Sequence, residues 1–153
     1  MDFWQDLFQN TIIISAATAW CIAQILKTVI HLFMTKQFVA ERLVGDGGMP
    51  SCHSATVCAL ATAVCYEYGP GGFEFAMVAF FAIIVMHDAM GVRRETGIQA
   101  RVLNEMIQLF EDMGSNMPPQ DKLKEFVGHT PLQVIIGAVL GILVSLAVCF
   151  LMN

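Results

Sequence analysis

Apolar residues along this chain gather into four runs, each closed by a polar or glycine-rich break. The first, 11–34, reads TIIISAATAWCIAQILKTVIHLFM and carries Gln24, Lys27 and His31 within it. The second, 51–67, is short and rich in small residues; the third covers 73–90. The fourth, 131–152, PLQVIIGAVLGILVSLAVCFLM, is the least interrupted. Roughly 20 apolar residues cross a bilayer as a helix, so the pattern predicts about four transmembrane helices in one all-α membrane domain spanning 1–153. Between the third and fourth runs lies a polar loop, 91–130. In it Ile98, Val102, Met106 and Phe110 recur at helical spacing, which predicts an amphipathic surface helix over 98–110. The stretch GSNMPPQ then breaks it.

Composition agrees with lipid as the solvent. The chain is 56% hydrophobic and 14% charged, whereas soluble domains are about a quarter charged. A net charge of −5 without a clustered basic face excludes nucleic acid as a partner. The five cysteines are an odd set with no C-x-x-C spacing, so neither a disulfide framework, a zinc site nor another cofactor is expected. The opening MDFWQDLFQN has acids and no basic region, so no cleavable signal peptide is expected and the first run would direct insertion. Lys36 and Arg42 follow run one, and Arg93, Arg94, Arg101, Lys122 and Lys124 follow run three. With four spans these two loops share a side, which the positive-inside rule makes cytoplasmic. In a bacterium that membrane would be the plasma membrane.

Lys27, His31, His53, Asp88 and His129 then all fall at or near the cytoplasmic ends of their segments. Polar groups at such depth usually face a protein interior or a wet cavity, and five at one level suggest a single site. In GGMPSCHS, residues 47–54, the glycines permit positive φ or close approach, Pro50 suits a first helical turn, and Ser51 can cap. A helix start of this kind is an anion site, and His53 beside it could pass a proton to a leaving group. The plainer reading is a capped helix with an incidental histidine. In GHTPLQ, Thr130 and Gln133 form a T-x-x-Q capping box with Pro131 at the first helical position, which places His129 at a second helix start. Gly137 and Gly141 form G-x-x-x-G, for close contact within the bundle or between copies. Asp88 with Arg93 and Arg94 reads equally as a local ion pair or a phosphate contact.

GGMPSCHSA, HDAMGVRRETG, QARVLNEMI and LKEFVGHTPLQVIIGAVLGI together resemble the divergent branch of the type 2 phosphatidic acid phosphatase superfamily, related to acid phosphatases and vanadium haloperoxidases. The resemblance covers roughly residues 10–148. It implies that Pro50, Ser51, Cys52 and His53 match the superfamily's P-S-G-H motif, with Cys52 in the glycine place. His129 matches the nucleophilic histidine, and Gln133 stands where an acid normally orients it. Lys27 is the candidate for the first-motif lysine. No arginine–proline pair follows it and no serine–arginine pair precedes His129. Lys124 is the nearest base to His129, and Arg93 and Arg94 are candidates to supply a guanidinium through folding.

The chemistry so implied is metal-independent hydrolysis of a lipid phosphate or related monoester. His129 would form a phosphohistidine while His53 serves as acid and then base, and Lys27 with the amides of Ser51 and Cys52 would stabilise the phosphoryl oxygens. The rival is a non-catalytic protein that binds or moves an anionic phospholipid head group in the same pocket. Superfamily members usually have about six spans, so a homodimer completing the bundle is a further expectation.

Overall fold

The computed structural model describes residues 2–36, 48–113, 123 and 128–152, with 92, 93 and 111 as backbone alone. Its elements are helices: α1 (Phe3–Phe8), α2 (Thr11–Thr35), α3 (Cys52–Tyr68), α4 (Phe73–Met90), α5 (Val92–Asp112) and α6 (Pro131–Met152). Local chemistry sets their ends. Asn10 caps α2 by accepting from the amides of Ile12 and Ile13, each at 3.0 Å, which satisfies two of the donors that a helix start leaves without a partner. Helix α2 stops at Lys36, whose N–H still donates to the Leu32 carbonyl at 2.8 Å while its left-handed φ of 55° turns the chain out of the helix. Apolar periodicity does not anticipate α1. Its Phe3, Trp4 and Phe8 are exposed, Phe3 meeting Trp4 edge-on and Trp4 stacking on Phe8, and aromatic residues of this kind are enriched at head-group depth.

Small residues decide how the long helices meet. On α6, Gly137, Gly141, Ser145 and Cys149 recur every fourth position and are buried. They face Ser51 at the cap of α3 and, within it, the fully buried Ala55 and Ala59. A Cβ placed on Gly137 would run into the Ser51 carbonyl oxygen, and one on Gly141 into the backbone of Ala55. One level further on, the Ser145 hydroxyl donates to the Ala59 carbonyl at 2.9 Å. The G-x-x-x-G pair is therefore used inside the chain. Glycine in a helix costs about 1 kcal/mol relative to alanine, and the close backbone contact offsets that where lipid removes the hydrophobic drive between helices. Helix α2 closes the third side with Ser15, Ala19, Ala23 and Lys27; Ala23 packs with Cys52 and Ala55, and Leu140 lies against them.

Helix α3 is thus the central element, packed on α2, α4 and α6. Among the described residues, three helical stretches are long and apolar enough to cross a membrane: Thr11–Thr35, Phe73–Phe110 and Pro131–Met152. The fourth expected span, α3, has 17 residues, a length of about 26 Å at 1.5 Å per residue against a hydrocarbon core of about 30 Å. Its neighbours surround much of it, which explains why small residues rather than bulky apolar ones dominate its sequence. Large apolar side chains lie outward instead: Phe80, Ile84, Leu143 and Phe150 are all more than 60% exposed. Helix α5 packs mainly on α4, and its stripe Ile98, Val102, Met106 and Phe110 is exposed; this is the amphipathic helix expected over 98–110, but it begins six residues earlier, at Val92.

Candidate functional site

The site lies where α2 ends, α3 begins, α4 ends and α6 begins. Its first component is the start of α3. Ser51 is the cap and Cys52 the first helical residue, so Pro50 precedes the helix rather than occupying its first turn. The Ser51 hydroxyl oxygen accepts from the Ser54 amide at 3.3 Å and from the Ser54 hydroxyl at 3.0 Å. The Ser51 N–H donates across the interface to the Gln133 carbonyl at 3.1 Å. Fully buried, Ser51 ties α3 to the first turn of α6, and its amide is engaged there. His53, in the first turn of α3, is half-buried.

The second component is the start of α6. Its capping box forms as the sequence predicts: the Gln133 Oε1 accepts from the Thr130 N–H at 3.0 Å, and the Gln133 N–H donates to the Thr130 hydroxyl at 3.4 Å. The His129 N–H donates to the Ala89 carbonyl at the end of α4, at 3.0 Å, and His129 is 2% exposed. Its Nδ1 lies 3.3 Å from Gln133 Oε1. The Thr130 amide fixes which end of the Gln133 amide faces inward, because an N–H can only meet an oxygen there. With Nδ1 donating to that oxygen, the lone pair of the neutral ring falls on Nε2. The His53 and His129 ring centroids are 6.1 Å apart at 62°, close enough for one small tetrahedral group to touch both.

Lys27 supplies the charge. It is 3% exposed, and the turn at Gly48, with φ of 88°, lies over its stem: a Cβ there would stand 3.3 Å from Lys27 Cγ. Burial holds the His129 ring below the ordinary histidine range, and the nearby His53 and Lys27 push it the same way. The bond to Gln133 and a backbone hydrogen bond at Gly48 oppose them. His129 is therefore neutral at neutral pH, as a nitrogen nucleophile must be.

The fold gathers Lys27, Ser51, Cys52, His53, His129 and Gln133 at one end of the bundle. Arg94 is exposed in the first turn of α5; the side chain of Arg93 and all of Lys124 lie outside the described residues. Among the described residues, no three His, Cys, Asp or Glu side chains gather to hold a metal ion. Gly48, one of the two glycines expected to take a positive φ or a close approach, and the carbonyl of Ala89 also belong to the site. A glycine two residues before a proline hinted at the first; nothing local marks the second, because its role is a backbone contact made across 40 positions.

Residues 8–144 match the model of the family described as Divergent PAP2 family. The chain is also similar to the uncharacterized membrane protein YuiD of Bacillus subtilis (strain 168), 37% identical over 154 residues, covering 95% of this chain and 98% of that protein. No solved structure matches.

Proposed function

Since this integral membrane protein belongs to the divergent PAP2 family, we propose that it hydrolyses a lipid phosphate or related phosphate monoester at the cytoplasmic end of its helix bundle. The observation that carries this reading is the pairing of two histidine rings 6.1 Å apart beside a buried lysine, one ring kept neutral and oriented through its Nδ1. In the first step the His129 Nε2 lone pair attacks phosphorus. The P–O ester bond breaks with its electron pair on the leaving oxygen, which takes a proton from His53. In the second, water gives a proton to His53 as its oxygen attacks phosphorus. The P–N bond then breaks, releasing inorganic phosphate and neutral His129. Lys27 and the positive start of α3 stabilise the phosphoryl oxygens throughout. The amphipathic α5 would lie in the bilayer interface next to a site that takes its substrate from lipid. The cytoplasmic assignment rests on seven of the eight Lys and Arg falling in the two loops at this end.

One observation favours the non-catalytic reading, in which the pocket only binds or moves an anionic head group. The residue orienting His129 is a neutral amide whose single oxygen also serves the Thr130 N–H. In a serine-protease triad, exchanging the orienting carboxylate for its amide lowers kcat about 10⁴-fold. The test is phosphate release by purified protein from a panel of lipid phosphates, for wild type, His129→Ala and His53→Ala. Turnover lost in both variants supports hydrolysis; turnover that survives both, or absent on every substrate, refutes it. Phosphate or vanadate binding that is lost in His129→Ala, without turnover, supports the binding reading.

A further inference from the structure

A polar group that the proposed mechanism does not use lies one helical turn deeper than Lys27. Gln24 is 8% exposed, and among the described residues its Oε1 is buried with no hydrogen-bond partner. Leaving a buried amide oxygen without a hydrogen bond costs about 1–3 kcal/mol. Among the described residues the surroundings offer no partner for it. The Thr28 hydroxyl, one turn on, is committed to the Gln24 backbone carbonyl at 2.9 Å. The neighbouring Ala23 packs with Cys52 and Ala55, and Leu140 covers them. Residues three apart on a helix are surface neighbours, so Gln24 flanks Lys27. The residues on either side of it reach the two walls of the site: Ala23 the first turn of α3, Lys27 the turn at Gly48.

We propose that Gln24 is a further ligand-binding residue, contacting the phosphoryl group of a phosphate monoester beneath Lys27. This rests on the phosphate-site reading above. A monoanionic phosphoryl group presents a P–O–H that Oε1 can accept; a dianionic one presents oxygens to which the same amide, turned over, donates. A neutral amide suits this position. It adds directional contacts without adding charge to a site that already holds one lysine and two histidines, and it carries an energetic penalty only while the pocket is empty.

The experiment is thermal unfolding of the full chain in detergent, titrated with inorganic phosphate and with vanadate, for wild type, Gln24→Met and Ser15→Ala. Ser15 is the comparator: among the described residues its Oγ is also buried without a partner, but it lies nine residues earlier on α2, away from the site. Without ligand, both substitutions remove an uncompensated polar atom and should raise the unfolding temperature. Gln24→Met should weaken phosphate and vanadate binding about tenfold, the equivalent of 1.4 kcal/mol, while Ser15→Ala leaves binding unchanged. Wild-type affinity in Gln24→Met overturns the assignment of Gln24 and leaves the phosphate site standing. A lowered unfolding temperature or failure to fold in Gln24→Met also overturns it, since the amide would then have a structural partner. Absence of phosphate and vanadate binding in wild type overturns both readings together.

Discussion

Gln133→Glu tests the electrostatics of the site without knowledge of its substrate. A carboxylate at position 133 keeps both acceptor roles, since glutamate serves a capping box as well as glutamine does, so the start of α6 should persist. What changes is the charge 3.3 Å from His129 Nδ1. An opposite charge at that range shifts a pKa by about 1–3 units, and each unit corresponds to about 1.36 kcal/mol. In wild type the folded His129 titrates below its unfolded value of about 6.5. The unfolded chain therefore takes up the proton first. The contribution of His129 to stability is present above about pH 6.5 and is lost as pH falls from there through the folded value. The introduced carboxylate raises the folded value, adding about 1.4–4 kcal/mol of preference for the charged ring. That shrinks the acid loss and, if the folded value passes 6.5, reverses its sign, so that stability then falls as pH rises through it. Thermal unfolding in detergent between pH 5 and 8 reads this out directly. Wild type should lose stability on acidification across this window, and Gln133→Glu should lose markedly less. Turnover, where the amide limits it, should rise in the variant, with its pH optimum moved upward. Superimposable pH–stability curves for the two proteins would refute the claim that Gln133 and a buried, neutral His129 act as a unit.

Further expectations address the bundle and the site. Gly141→Ala forces a methyl into the Ala55 backbone and should cost at least the 1–3 kcal/mol typical of overpacking, read as a lowered unfolding temperature; an unchanged value would contradict the α3–α6 seam. Lys27→Met removes the buried ammonium and should weaken phosphate or vanadate binding about 10- to 150-fold, from the 1.5–3 kcal/mol of a charged hydrogen bond. A cysteine introduced at Ser115, between α5 and α6 in sequence and outside the described residues, should resist an impermeant thiol reagent added outside intact cells and react after permeabilisation; labelling from outside would overturn the cytoplasmic orientation. Crosslinking in detergent should trap a dimer if two copies complete the bundle, and exclusively monomeric product would count against that arrangement.

The sequence by itself determined the features that local physics controls. Apolar run lengths place α2, α4 and α6 within a residue of their bounds, because desolvation of a helix in lipid depends on composition alone. The capping box at Thr130 and Gln133 is equally legible, since its partners are three residues apart. A spacing of four between Ile98, Val102, Met106 and Phe110 was enough to expose the amphipathic α5. The family resemblance assembled Lys27, His53, His129 and Gln133 into one candidate constellation, but it could not state their surroundings. Those were decided in three dimensions. That Gly137 and Gly141 serve α3 rather than a second copy follows from the backbone of Ser51 and Ala55 lying where their side chains would be. That same contact brings the Ser51 N–H onto the Gln133 carbonyl, which commits an amide that the family resemblance gives to phosphate. The lowered titration of His129 is likewise a property of burial first, and then of His53 and Lys27, brought from positions 76 and 102 residues earlier. Burial and through-space charge depend on which helices touch, and no stretch of this chain carries that information locally.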